Sequence, residues 1–197
     1  MKKTDSFGST KLSTSKKTLF LDRDGVININ HGYVHTPEKF EFIEGIFDLC
    51  RTAQQKGYQI IIVTNQSGIA RKYYNNLTFK QLSKWLTRQF WQQGIKIKQI
   101  LHCPHHPKFT HSCCCRKPRV GMIIKAQKRF HIDLSKSMMI GDSLSDMKCA
   151  QVAKIKKRIL FKEHTQSNNQ HVQKNLIRPR FHTYHQVGKL SSIKPFL

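Results

Sequence analysis

The chain has 197 residues, enough for one domain with a substantial core and too few for two comfortable ones. Lys and Arg number 35 against 11 Asp and Glu, a formal charge of +24. The cations are dispersed, with only short clusters such as Lys154 to Arg158 and no interleaved aromatics for base stacking, so the charge reads as compositional drift rather than a nucleic-acid surface.

Met1 to Lys17 is rich in Lys, Ser and Thr and lacks the apolar centre of a secretory signal, so residues 1–17 are expected to be a disordered leader. No apolar run approaches the length of a membrane span, and a cytoplasmic location is expected. Thr18 to Leu21 is a short apolar run of the kind that a fully buried strand shows, and it leads into Asp22-Arg23-Asp24-Gly25. Asn28 to His35, polar and punctuated by Gly32, reads as a loop or small flap. Ile46 to Lys56 is patterned as a helix burying Ile46, Leu49, Cys50 and Ala53, with Gly57 as its stop. Gln59 to Val63 is the second strand, ending in the hydroxyl- and amide-rich turn Thr64-Asn65-Gln66-Ser67-Gly68. Thr78 is the expected N-cap of a helix running from Phe79 to Gln93. Ile97 to His102 is a third strand that runs into a cysteine-histidine segment, the loop 102–118. A helix through about Phe130, a fourth strand from Ser137 to Ile140, a helix through about Ala153 and a fifth strand from Arg158 to Phe161 follow. From Lys162 the chain is polar and without sustained period, so 163–197 is expected to be a tail or part of the domain edge. Alternating strands and helices over 18–162 predict an α/β domain: a Rossmann-like parallel sheet with helices on both faces.

In such a sheet, the crevice beyond the carboxyl ends of the strands is where ligands bind. Asp-x-Asp-Gly alone is equally at home in an acidic turn. Here, however, three strand ends supply Asp22 and Asp24, Thr64 and Ser67, and Asp142 and Asp146, while Arg116 and Lys117 lie between them. Carboxylates, a hydroxyl and a lysine around a divalent metal suit phosphoryl transfer, which needs positioning and charge neutralisation above all. Asp22 is the expected nucleophile, giving an aspartyl-phosphate, and Asp24 the general acid and base. Asp142, Asp22 and the backbone carbonyl of Asp24 are expected to hold Mg2+, and Thr64 and Lys117 to bond the phosphoryl oxygens. Cys103-x-His105 and Cys113-x-Cys115 offer four Zn2+ ligands on two short arms. Cys114 permits a shifted set, and His102, His106 and His111 are competitors. Cys50 and Cys149 read as buried small hydrophobes.

Asp22-x-Asp24-Gly25, Thr64, Lys117 and Gly141-Asp142-x-x-x-Asp146 resemble, in their order, the four motifs of haloacid-dehalogenase-type (HAD-like) phosphatases, over about Leu19 to Phe161. More narrowly, Asp22 to Asn28, His31 to Val34, Thr64 to Ala70 and Cys103 to Pro107 are similar to the heptose-bisphosphate phosphatase branch of that superfamily. The resemblance implies a domain without a large cap and with a zinc loop just before Arg116-Lys117. It implies removal of the 7-phosphate from a small-molecule sugar bisphosphate, in the heptose supply for lipopolysaccharide core. It also implies substrate contacts from His31, Gly32 and Tyr33, from Thr64, Asn65, Gln66 and Ser67, and from Arg116. Asn30 and Ser143 stand where such relatives often carry Asp and a substrate-touching lysine, and a glycine-rich approach to the fifth strand is missing. A monomer is expected. Histidinol phosphate and 3'-phosphorylated polynucleotides are the alternative substrates in the same superfamily. A zinc-braced nucleic-acid-binding protein is the alternative outside it, and it leaves Asp22, Asp24 and Asp142 without a purpose.

Overall fold

In the computed structural model, residues 15–162 and 184–197 are described. The expected leader lies outside them except for its last three residues, as does the first part of the polar tail. Six strands form one parallel sheet: β1 (Thr18–Leu21), β2 (Gln59–Asn65), β3 (Ile97–Cys103), β4 (Met138–Gly141), β5 (Lys157–Phe161) and β6 (His185–Val187), in the order β3-β2-β1-β4-β5-β6. The helices are α1 (Ile46–Gln55), α2 (Ser67–Ala70), α3 (Asn76–Gln92), α4 (Gly121–Phe130) and α5 (Leu144–Val152). From β1 the chain winds outward through β2 and β3, then returns to the other side of β1 for β4 and β5. The sheet order therefore reverses between β1 and β4, which creates the crevice at their carboxyl ends.

Both faces of the central strands are covered, which is why they read as unbroken apolar runs. Alternate residues divide between two cores. Leu19, Leu21, Ile60, Ile62, Met138 and Ile140 pack with Leu49 of α1 and with Leu86 and Phe90 of α3. Phe20, Ile61, Val63 and Met139 pack with Ile123 of α4 and Ala150 of α5. Cys50 and Cys149 are buried one in each core, as small apolar side chains.

Several boundaries differ from expectation for physical reasons. The cap of α3 is Asn75, not Thr78: the Asn75 Oδ1 accepts from the Thr78 backbone N–H at 2.9 Å, which makes Thr78 the third residue of the helix. Thr64 and Asn65 belong to β2 rather than to the turn, pairing with His102 and Cys103 of β3. On the approach to β5, which has no glycine, Lys154 itself takes a left-handed conformation at φ 61°. Lys16 is not part of a free leader, because it exchanges backbone hydrogen bonds with His131 and Asp133.

At the C-terminal end, residues 184–197 are part of the domain edge, the second of the two readings of the tail. His185–Val187 adds a sixth strand beside β5, and residues 190–196 form a 3₁₀ segment against α1. Leu190 and Ile193 are buried in the first core, and Lys157 donates to the Phe196 carbonyl at 2.6 Å. This segment also protects the β5 edge, which would otherwise present unpaired backbone groups. Ile193→Ala is expected to lower the melting temperature by about 5–15 °C, the cost of a cavity in a filled core, as measured by calorimetry.

Candidate active site

Lys117 is the centre of charge in the crevice. Its side chain is buried, and its ammonium donates to the Val63 carbonyl at 2.8 Å and forms ion pairs with Asp22 Oδ1 at 2.9 Å and Asp146 Oδ1 at 2.6 Å. Burial alone would lower its pKa, but the two carboxylates hold it above the ordinary lysine range. Its backbone is clamped as well: Asn65 accepts from the Lys117 N–H at 3.0 Å and donates to its carbonyl at 3.2 Å. The end of β2 thereby fixes the loop that carries Lys117.

Asp22 follows the end of β1, and the turn after β4 and the first turn of α5 bring Asp142 and Asp146 beside it. Ligand oxygens of these three acids lie within 4.8 Å of one another. Burial pushes Asp22 up to about 7, with Lys117 opposing the rise and Asp146 and Asp142 adding to it. Burial and Asp146 likewise raise Asp142. Such a close set of hard oxygen donors in a low-dielectric crevice fits a divalent cation such as Mg2+. Gly25 permits the approach: at φ 81° it is in glycine's region, and a Cβ there would lie 2.3 Å from Asp142 Oδ2.

The native state holds a proton on Asp22 that the unfolded chain has released from 3.8 upward, so metal-free stability falls as pH rises from about 4 towards 7. A cation needs the ionised form, so Mg2+ affinity is expected to strengthen from about pH 6 to pH 8, which calorimetric titration will measure.

Asp146 had no role beyond its motif in the sequence, yet it performs two. One oxygen holds Lys117, and the other accepts from the Ser143 backbone N–H at 3.1 Å, closing a capping box at the start of α5. The signal was legible in Ser143-x-x-Asp146. Arg23, between the two motif acids, is buried and pairs with Asp24 at 2.8 Å, while also donating to the Val34 carbonyl in the flap.

A cavity of about 450 Å³ opens over these groups. It is lined by Asp22, Asp24, Thr64, Lys117 and Asp142, by Asn65, Gln66 and Ser67, and by Asn30, Gly32, Tyr33 and Ser143. Asp146 lines it too, as expected of the crevice, and so do Tyr74 and Ser145, which the sequence did not single out. His31 and Arg116 are not part of this lining. His31 pairs with Glu41 at 3.2 Å, and Arg116 donates to the His105 carbonyl at 3.2 Å.

Cys103, His105, Cys113 and Cys115 also come together, with ligand atoms within 4.8 Å of one another. Cys103 Sγ lies 3.5 Å from Cys113 Sγ and 3.0 Å from Cys115 Sγ, and Cys115 Sγ is 3.4 Å from His105 Nδ1. This spacing and donor chemistry fit a tetrahedral ion with soft ligands. Cys114 is exposed and joins the structure through its carbonyl, which accepts from Gly121. His102 is engaged with Asn76 and His106 with the Lys108 backbone.

Residues 114–186 match the family model described as "HAD-hyrolase-like". The chain is 49% identical over 147 residues to the D-glycero-alpha-D-manno-heptose-1,7-bisphosphate 7-phosphatase of Campylobacter jejuni, spanning 75% of this chain and 83% of that one. It is 40% identical over 156 residues to the D-glycero-beta-D-manno-heptose-1,7-bisphosphate 7-phosphatase of Escherichia coli (strain K12), spanning 77% and 82%. Its fold is similar to that of the D,D-heptose 1.7-bisphosphate phosphatase from B. bronchiseptica, solved with magnesium and phosphate, at a TM-score of 0.73 and 28% identity over 91% of this chain and 97% of that one. Sheet order, crevice and relatives define a hydrolase of the HAD-like class. Within that class, the chain belongs to the D-glycero-D-manno-heptose-1,7-bisphosphate 7-phosphatase family.

Proposed function

We propose that the chain removes the 7-phosphate of D-glycero-D-manno-heptose 1,7-bisphosphate to leave the sugar 1-phosphate. It is a phosphoric monoester hydrolase, and one observation carries the reading: Asp22, Asp142, Asp146 and Lys117 converge where the sheet order reverses. A binding protein for polyanions has no use for acids at the centre of its crevice.

Asp22 takes its donors, the Arg23 N–H at 2.7 Å and Lys117, on Oδ1, which leaves Oδ2 to attack phosphorus. The sugar oxygen leaves with a proton from Asp24. Asp24 then takes a proton from water, the resulting hydroxide attacks the aspartyl-phosphate, and phosphate departs with Asp22 restored. Lys117 stabilises the charge that develops beside Asp22, and the Thr64 hydroxyl donates to a phosphoryl oxygen. Asp22, Asp142 and the Asp24 carbonyl would hold Mg2+, which when bound neutralises phosphate charge.

The test is phosphate release, with Mg2+ present, from both anomers of the heptose bisphosphate, from histidinol phosphate and from a 3'-phosphorylated oligonucleotide. Preferred turnover of a heptose bisphosphate is expected, and a preference for histidinol phosphate or the oligonucleotide would overturn the choice of substrate. The relatives' names divide between the two anomers, so the same screen assigns the anomer.

The ion at Cys103, His105, Cys113 and Cys115 is read as a structural Zn2+, bracing the loop that ends at Lys117. Replacing Cys103 and Cys113 with Ser is expected to remove about one equivalent of zinc by elemental analysis and to cost at least about 2 kcal/mol of stability. Unchanged zinc content would reject these ligands.

A further inference from the structure

Asp24 is enclosed by donors. Its Oδ1 accepts from Arg23 Nε at 3.2 Å, Arg23 Nη2 at 2.8 Å and Asn28 Nδ2 at 3.1 Å. Its Oδ2 accepts from Arg23 Nη2 at 2.9 Å and Gln66 Nε2 at 3.0 Å. Gln66 is almost wholly buried, and the same Nε2 donates to Thr64 Oγ1 at 2.8 Å while Oε1 accepts from the Tyr74 hydroxyl at 2.5 Å. When Asp24 is ionised its oxygens have no hydrogen to give, so the amide atom that faces it is the nitrogen. Both N–H donors and the carbonyl oxygen are therefore occupied by the protein.

We propose that Gln66 is a positioning residue for Asp24 and Thr64, oriented by Tyr74, and not a ligand of the substrate. This rests on the phosphatase reading above. Arg23 Nη2 has two hydrogens and gives one to the Val34 carbonyl, so the other is shared between the two Asp24 oxygens. Oδ2 then has Gln66 as its one full donor and is the oxygen with room for the transferable proton, and Gln66 aims it. By filling a lone pair of Thr64 Oγ1, Gln66 also leaves the Thr64 hydroxyl hydrogen free to point into the cavity, where a phosphoryl oxygen needs a donor.

Tyr74 is built in to hold the amide in this sense. Its ring stacks on His35 of the flap at 4.9 Å and lies so close to α2 that a Cβ on Gly68 would sit 2.2 Å from it. Burial pushes its hydroxyl up to about 12, so it remains a donor throughout the working range of pH. The ring thereby connects the flap to the acid that must protonate the leaving group.

The experiment compares two esters. A sugar alkoxide needs a proton to leave, whereas p-nitrophenolate does not, so a fault in aiming Asp24 falls mainly on the sugar phosphate. Gln66→Leu is expected to lower kcat on the heptose bisphosphate about 100-fold with KM within about threefold, and to lower kcat on p-nitrophenyl phosphate about tenfold less. Tyr74→Phe keeps the stacked ring and is expected to show the same asymmetry at about 3- to 10-fold. If Gln66→Leu does not fold, Tyr74→Phe decides alone. A rise in KM with kcat unchanged would make Gln66 a substrate contact and overturn the proposal. Equal losses on both esters would make it purely structural and also overturn it. A parent enzyme inactive on both esters would instead remove the phosphatase reading, and this proposal with it.

Discussion

Asp22→Asn is expected to hydrolyse the sugar bisphosphate at least about 10,000 times more slowly than the parent chain, yet to melt at the same temperature or higher without metal. The two halves of this result have one origin. The carboxylate sits where burial raises it to about 7, so its charge destabilises the metal-free protein near neutral pH. An amide of the same shape removes the charge and the nucleophilic oxygen together. Phosphate-release assays and melting in chelator will separate the two, and turnover within tenfold of the parent would move the nucleophile elsewhere.

Lys117→Met is expected to damage both properties. Deleting one partner from a buried ion network costs about 3–5 kcal/mol, because the remaining charges have no counter-ion. Here the bereft groups are Asp146, fully buried, and Asp22. The melting temperature is expected to fall by about 10 °C and turnover by about 100- to 1,000-fold. Adding Asp146→Asn to that variant distinguishes the causes: it relieves one orphaned charge and keeps an acceptor for the α5 cap. The double variant is expected to regain part of the melting temperature while turnover stays low. Recovery of both would mean that Lys117 serves the fold alone.

The strands and the acids at their ends were legible in the sequence because the same physics writes both. A strand covered on two faces must be apolar at every position, as in Ile60 to Val63, and polar residues directly after it mark its exit into the crevice. The helix cap was not legible to the residue, since Asn75, Asn76 and Thr78 all carry suitable side chains and only the path of the chain decides among them. Strand β6 gave no pattern because it is three residues long with little burial, and its pairing is set by the exposed edge of β5. No pattern in the sequence marks Arg23 as buried, yet it pairs with the acid next to it in sequence beneath the flap. Of the Gln66 contacts, those with Thr64 and Tyr74 are near in sequence, but the one with Asp24 spans 42 positions, so no local window shows all three together.

The seam between α1 and residues 190–196 has a consequence for biosynthesis. Lys194 pairs with Asp48, and Leu190 and Ile193 share a core with Ile46 and Leu49, across more than 140 positions of the chain. A ribosome delivers those partners in order, so α1 must wait, with part of its greasy flank uncovered, until the far segment emerges. Premature termination between Phe161 and Leu190 would therefore release a polypeptide in which β1 to β5 are complete in sequence but unsealed along one side, a natural substrate for chaperones and proteases.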